Sequence, residues 1–109
     1  MLSPHTLDIP DITITLDKDV MTLQGKIHFG NVVQILAVGN QILDTLPALQ
    51  INLTHLHNSD SSGLALLCEW LRKARTEHKA LFFKEVPAFI QDIARVYGLD
   101  KVLNSAWEN

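Results

Sequence analysis

The sequence predicts an α/β fold, with a mixed β-sheet of about four or five strands and helices packed mainly on one face. Segments with the period of a strand alternate along the chain with segments that have the period of a helix. Strands joined through helices favour parallel pairing with right-handed crossovers. The chain has 109 residues, of which 47% are hydrophobic, and this is enough apolar material for one core. We therefore expect a single domain over residues 1–109.

The first two strands form a predicted β-hairpin. Residues 12–16 and 20–24 both alternate apolar and polar side chains, and the polar residues 17–19 separate them. The segment before the hairpin, residues 1–11, contains two prolines and shows no periodicity, which is typical of an N-terminal arm. The predicted folded body is residues 12–103.

The first helix is predicted to start after Asn31, whose side chain can cap it, and to end before Pro47. Gly39 lies in the middle of this helix, where glycine costs about 1 kcal/mol relative to alanine. We expect it to allow close packing of the helix backbone against a neighbouring element. The alternating residues 49–53 then predict a central strand, followed by a polar loop.

A second helix is predicted to begin at Asp60 or Ser61, either of which can cap it, and to end near Glu77. Leu66 and Trp70 lie one turn apart on the flank of its apolar stripe. They belong either to a wide core face or to a partner-facing shoulder of the helix. The inner stripe itself is Leu64, Leu67, Cys68, Leu71 and Ala74.

The last third of the chain predicts one more strand and one more helix. Residues 80–84 form a strand that is apolar enough to be covered on both faces. The third helix has Pro87 in its first turn and Gly98 as a left-handed terminator. Residues 99–103 are expected to cap the body.

The composition excludes several classes of protein. Nine basic and twelve acidic residues give a net charge of −3, which lacks the positive excess that nucleic acids and anionic membranes attract. No Gly-rich loop ends in Lys and Ser or Thr, so we expect neither nucleotide hydrolysis nor a cofactor. The sequence shows no secretion signal and no apolar run of membrane-spanning length. Together with the lone Cys68, this predicts a cytoplasmic protein.

Two chemical hypotheses attach to the polar loop after the central strand. His55, His57 and Asp60 offer nitrogen and oxygen ligands for a metal, although such spacing often arises by chance. Ser61 or Ser62 would need a base and an oxyanion site, and the surrounding residues do not form the G-x-S-x-G elbow. We therefore expect no metal site and no catalytic residues.

The most distinctive motif is D-S-S-G-L at residues 60–64, directly after the predicted central strand. In a purely structural interpretation, it is a helix cap followed by a glycine that lets the helix start close to the sheet. In a functional interpretation, Ser61 is exposed at a helix N-terminus, where negative charge is favoured. A phosphate added to Ser61, or donor groups of a partner, would interact with the protein there. Loops at the carboxyl ends of strands are common recognition sites.

At these residues the sequence resembles a known family. The stretch from Leu49 to Arg75, LQINLTHLHNSDSSGLALLCEWLRKAR, is similar to the core of the STAS domain, named for sulfate transporters and anti-sigma factor antagonists. In that family a strand of the form I-D-L precedes D-S-S-G-L at the head of a helix. The resemblance extends from Thr13 to Leu103. It implies a small mixed α/β fold that is not an enzyme and acts by docking on a partner.

The final third, residues 81–103, is similar to the ending of MlaB-type STAS proteins. That resemblance implies a cytoplasmic subunit of a phospholipid-trafficking ABC transporter that maintains outer-membrane lipid asymmetry in Gram-negative bacteria. The implied partner is an MlaF-like ATPase subunit, in a complex with permease and substrate-binding subunits. The protein would then be peripheral at the inner membrane, which it reaches only through the complex.

The resemblance also assigns individual positions. Ser61 occupies the position that anti-sigma factor antagonists phosphorylate and that MlaB proteins place against the ATPase. Asp60 matches the acidic residue beside it, and Gly63 matches the helix-opening glycine. Asn52 and His28 depart from the family pattern, because aspartate is usual at both positions. Because Ser61 occupies the phosphorylated position, the alternative function is an anti-sigma factor antagonist regulated by phosphorylation of Ser61.

Both functions imply the same interaction surface. Its centre is the loop and helix start, its neighbouring loop supplies two further members, and the helix flank supplies two more. The expected members are His57, Asn58, Ser59, Asp60, Ser61, Ser62, Gly63 and Leu64 at the centre, Phe29 and Asn31 from the loop, and Leu66 and Trp70 from the flank.

Overall fold

The computed structural model describes residues 5–57, 60–104 and 107–108. The strands are β1 (His5–Ile9), β2 (Ile12–Asp17), β3 (Val20–Gly25), β4 (Ala48–Asn52), β5 (Ala80–Lys84) and β6 (Trp107–Glu108). The helices are α1 (Val32–Thr45), α2 (Ser62–Thr76), α3 (Ala88–Val96) and α4 (Asp100–Asn104). The predicted hairpin, the two later strands and the three longer helices are all present, in the predicted order.

The six strands form one mixed sheet, in the order β1-β2-β3-β4-β5-β6. β1, β2 and β3 pair antiparallel, whereas β3, β4, β5 and β6 pair parallel. The parallel part follows from the helical connections, because a strand that returns through a helix re-enters the sheet in the same direction. The four strands that the periodicity predicts are β2–β5, and a short strand is added at each edge.

The helices cover one face of this sheet, as predicted. Leu49 and Ile51 of β4 and Leu81 and Phe83 of β5 are buried beneath them, and Met21 of β3 lies beside Ile51 in register. The alternate side chains face the open side. Phe82 is 45% exposed there, and Ala80 and Lys84 on the same face are exposed as well, so the prediction that β5 is covered on both faces is wrong.

The expected N-terminal arm contains a strand. Residues His5–Ile9 pair antiparallel with β2, with Leu7 opposite Ile14. Asp11, at φ 68°, makes the turn into β2, and its carbonyl accepts the Lys26 amide at 2.8 Å. β1 is an edge strand whose first four residues are exposed on both faces. It therefore lacks the buried face that gives a strand its sequence signature.

α1 and α2 pack side by side on the sheet, and Gly39 of α1 lies against Trp70 of α2. A Cβ atom at Gly39 would lie 2.3 Å from Cε2 of Trp70. The Trp70 indole is fully buried, and its Nε1 donates to the Leu36 carbonyl at 3.3 Å. Gly39 therefore lies in a close contact, but the group that packs against the helix backbone is the Trp70 side chain of α2 and not the backbone of another element.

The C-terminal part closes the core. α3 ends before Gly98, which has φ +71°, and the Leu99 amide donates to the Ala94 carbonyl at 2.8 Å. This is the left-handed terminator that the sequence predicts. α4 then buries Leu103. Among the helices of the described residues, none is long and apolar enough to cross a lipid bilayer.

Candidate functional site

The three longer helices begin at the same edge of the sheet. α1, α2 and α3 follow β3, β4 and β5, and these strands are parallel, so their carboxyl ends point the same way. The loop after β4 is tied to the end of β3, because the His57 amide donates to the Gly25 carbonyl at 2.7 Å. We call the residues 28–31, 57 and 60–61 at this edge the Ser61 edge.

Asp60 connects the two loops of the Ser61 edge. Its Oδ1 accepts the Ser62 amide at 2.8 Å, and its Oδ2 accepts the Phe29 amide at 3.3 Å. The Ser62 hydroxyl contributes most to lowering the pKa of Asp60, and the Ser62 and Phe29 amides add to this effect. Burial opposes them only in part. Asp60 is therefore an ionised cap that also holds the Phe29 loop.

Ser61 is the N-cap residue of α2, but its side chain makes no capping hydrogen bond. Its backbone is already helical, at φ −64° and ψ −9°, and its side chain is exposed. The carboxylate of Asp60, one residue earlier, accepts the Ser62 amide at the first turn of the helix, so the Ser61 hydroxyl takes no part in capping. It faces solvent at the positive end of the helix dipole.

We expect Asp60→Ala to lower the free energy of unfolding by about 1 kcal/mol near neutral pH, the usual cost of losing a helix cap. The folded-state pKa lies below the ordinary value. The contribution of the carboxylate is therefore complete above the unfolded pKa and is lost as the pH falls through the folded pKa. Urea unfolding of both proteins at neutral pH and at about pH 3 measures this effect.

The difference in the free energy of unfolding between wild type and Asp60→Ala should become smaller as the pH is lowered. Asp92→Ala is the control, because Asp92 only forms an exposed pair with Arg95 at 3.2 Å. Its cost should stay below about 0.5 kcal/mol. A cost of Asp60→Ala that is the same at both pH values would show that the charge of Asp60 does not stabilise the fold.

His28 accepts a backbone hydrogen bond at a position where the family usually has an aspartate. Its Nδ1 accepts the Gly30 amide at 2.9 Å, so the proton of the neutral ring is assigned to Nε2, which lies 2.8 Å from Oδ2 of Asp11. Nδ1 thus accepts an N–H as an aspartate oxygen would. The Asp11 carboxylate lies behind the ring and bonds its other nitrogen, Nε2. The departure at position 28 leaves the loop hydrogen-bonded through a different pair of side chains.

Asn31 is a buried residue that organises the loop before α1. It is 1% exposed, its Nδ2 donates to the carbonyls of Pro10 and Lys26, both at 2.9 Å, and its Oδ1 accepts the His28 amide at 2.9 Å. Asn31 precedes α1 as predicted, but its side chain does not cap the helix. Because its side chain is buried among residues of its own chain, Asn31 shapes the Ser61 edge from beneath, and its direct contact with a partner stays a prediction.

The helix flank is also part of the core. Leu66 is 2% exposed and Trp70 is fully buried, because α1 packs against this side of α2. The partner-facing interpretation of these two side chains is therefore wrong, and the wide core face is correct. Ser62 and Leu64 are likewise buried, as is Gly63, so they position the edge from beneath.

Three further members of the expected surface lie where a partner can reach them. Phe29 is 75% exposed, and His57 and Ser61 are exposed as well. Asn58 and Ser59 lie outside the described residues. Val33 was not predicted from the sequence, yet it is 72% exposed one turn beyond Phe29. An apolar residue at an outward helical position was the available signal.

Asn52 shapes the start of the loop after β4. Oδ1 of Asn52 accepts the Thr54 amide at 3.0 Å, so the residue that departs from the family pattern turns the chain out of β4. Burial raises the pKa of the Cys68 thiol, which keeps it protonated. In the part of the chain that the structure describes, no three His, Cys, Asp or Glu side chains gather closely enough to hold a metal ion.

Comparison with known families and structures agrees with this architecture. The family described as the MlaB STAS domain matches residues 11–104. A chain of the Acinetobacter MlaFEDB complex in its ATP-bound Vtrans2 conformation is 30% identical, with a TM-score of 0.68, over 79% of this chain and 92% of that one. Comparison with curated protein sequences gave no significant match.

Two anti-sigma factor antagonists share the fold at lower identity. Unphosphorylated SpoIIAA is 14% identical, with a TM-score of 0.64, over 97% of this chain and 86% of that one. An antagonist from Mycobacterium paratuberculosis is 22% identical, with a TM-score of 0.63, over 92% and 80%. The mixed sheet, the helices on one face and the family match define a STAS domain. Within this class, the chain belongs to the MlaB-type STAS family.

Proposed function

We propose that this chain is a non-catalytic subunit that docks on the ATPase of a phospholipid-trafficking ABC transporter and supports its assembly and activity. The observation that carries the proposal is the 30% identity to a chain of the MlaFEDB complex, which extends over 79% of this chain. The transporter would be of the type that maintains outer-membrane lipid asymmetry. Its permease would then bring the protein to the inner membrane.

The Ser61 edge is the docking site in this proposal. Ser61 is exposed while Asp60 supplies the cap, so its hydroxyl remains available to a partner. The Asp60 carboxylate also holds the Phe29 amide, which places an exposed aromatic ring on the same edge. An exposed aromatic side chain beside a helix N-terminus is a suitable anchor for an interface. His57 completes the edge on the side of β4.

A subunit without chemistry can change an ATPase only by binding one of its conformations more tightly than another. We propose that the chain prefers the assembled, ATP-competent state of its partner. Its affinity for the ATP-bound ATPase should then exceed its affinity for the nucleotide-free form. Equal affinity for both forms would exclude a conformational effect on that step.

Reconstitution of ATP hydrolysis tests the proposal. The transporter complex of the same organism is purified without this subunit, and the purified chain is then added back. We expect the chain to join the complex in size-exclusion chromatography and to raise the rate of ATP hydrolysis. A chain that neither joins the complex nor changes hydrolysis would contradict the proposal.

A further inference from the structure

A row of exposed, uncharged side chains runs from the Ser61 edge along α1. Phe29 lies in the turn before the helix, and Val33 and Ala37 follow at intervals of four residues, the spacing that places side chains on one side of a helix. Phe29 is 75% exposed, Val33 is 72% exposed and Ala37 is exposed as well. We call these three residues the neutral row.

The exposed positions beside the neutral row on α1 and on the first turns of α2 are also uncharged, and the ionised Asp60 lies at the start of the row, where it holds the Phe29 amide. Gln34 and Gln41 are the other exposed residues in this part of α1, and Ser61 and Ala65 are exposed on the first turns of α2. Of the 14 residues of α1, Asp44 in the last turn is the first that carries a charge. The exposed face of a helix in water is ordinarily rich in charged side chains.

The charges of this helical layer are gathered at the other end. Lys73 bonds Asp44 at 2.7 Å and Glu77 at 2.6 Å, and Arg72 bonds Glu69 at 2.9 Å. α1 and α2 run in the same direction, because Phe29 meets Asp60 at their starts and Asp44 meets Lys73 near their ends. The layer is therefore divided along its length into a neutral half and an ion-paired half.

We propose that the docked ATPase subunit covers the neutral row, with an uncharged, apolar surface of its own, and that its footprint ends before the ion pairs of Lys73. This inference rests on the proposed function. The central part of an interface is depleted in charged residues and holds apolar and aromatic ones. Continuity identifies the occupant, because the Asp60–Phe29 hydrogen bond joins the row to the Ser61 edge. A body that reaches Ser61 therefore also meets Phe29.

The experiment compares lysine substitutions at two exposed valines. Val33→Lys places a charge in the neutral row, and Val96→Lys places the same charge on α3, where Val96 is 82% exposed. Both sites are solvent-exposed, so circular dichroism and thermal unfolding should show two folded proteins. Affinity for the purified ATPase subunit is then measured by titration calorimetry, beside wild type and Ser61→Asp.

We expect Val33→Lys to weaken binding at least tenfold and Val96→Lys to change it less than twofold. If Val33→Lys binds like wild type while Ser61→Asp does not, the footprint on α1 is wrong and the proposed docking edge stands. If wild type itself shows no binding, the proposed function fails and the footprint fails with it. A dimer of the isolated chain that Val33→Lys dissolves would assign the row to a second copy and overturn the inference.

Discussion

Gly39→Ala should lower the free energy of unfolding by about 2 kcal/mol, although alanine is the better helix former. The added Cβ would lie 2.3 Å from Cε2 and 2.4 Å from Cζ2 of a Trp70 ring that is fully buried. Overpacking of a filled core costs about 1–3 kcal/mol, and contacts this short with a buried ring place the cost near the upper end of that range. Subtracting the gain in helix propensity of about 1 kcal/mol leaves a net loss of about 2 kcal/mol. Chemical unfolding monitored by Trp fluorescence measures the loss.

Trp70→Phe provides the matched test of the cause. Phenylalanine lacks the indole atoms that the new Cβ would strike, so Gly39→Ala should cost less in the Trp70→Phe background than in wild type. The difference is the coupling energy of a double-mutant cycle, and circular dichroism replaces fluorescence for these variants. Gln41→Ala, at an exposed position of α1, should leave stability within about 0.5 kcal/mol. An unchanged stability of Gly39→Ala would contradict the packing at this site.

Ser61→Asp should weaken binding to the ATPase subunit at least tenfold, while the protein stays folded. The new carboxylate would be buried against the partner, and desolvating it opposes docking. It stands next to the ionised Asp60, whose pKa is already lowered. A negative charge at a helix N-terminus is compatible with the helix dipole, so loss of binding would not reflect unfolding. Titration calorimetry with the purified ATPase subunit measures the change.

Ser61→Asn separates charge from size, because asparagine has nearly the shape of aspartate without its charge. It should bind within a few-fold of wild type. Thr76→Asp, at the exposed end of α2, adds a carboxylate to the same helix away from the edge and should leave affinity unchanged. Wild-type affinity for Ser61→Asp would place Ser61 outside the contact.

The elements of the fold follow from local patterns in the sequence. β2–β5 and α1–α3 each bury one face, so their periodicity is visible in the sequence. β1 escaped prediction because its first four residues are exposed on both faces. It is a strand only because β2 offers a partner, as Leu7 opposite Ile14 shows. This pairing depends on the neighbouring strand and on the turn at Asp11, and neither is visible as a burial pattern within residues 5–9.

The sequence motif predicts where the candidate site lies, but not the contacts between its residues. The D-S-S-G-L motif predicts a cap at Asp60 or Ser61, but only the fold shows that Asp60 also holds Phe29, 31 residues away. The burial of Trp70 depends on Gly39 of another helix. Asn31 has the chemistry of a cap, yet its hydrogen bonds to the Pro10 and Lys26 carbonyls hold it below the surface. Each of these outcomes is decided by tertiary contacts.

The most direct test of the docking role is affinity purification of the tagged protein from its native membranes in detergent. Mass spectrometry then identifies the partners and the state of the peptide that contains Ser61. The account predicts an ABC ATPase together with its permease, and an unmodified Ser61. An anti-sigma kinase bound to a chain with phosphorylated Ser61, without transporter subunits, would contradict it and establish the signalling alternative.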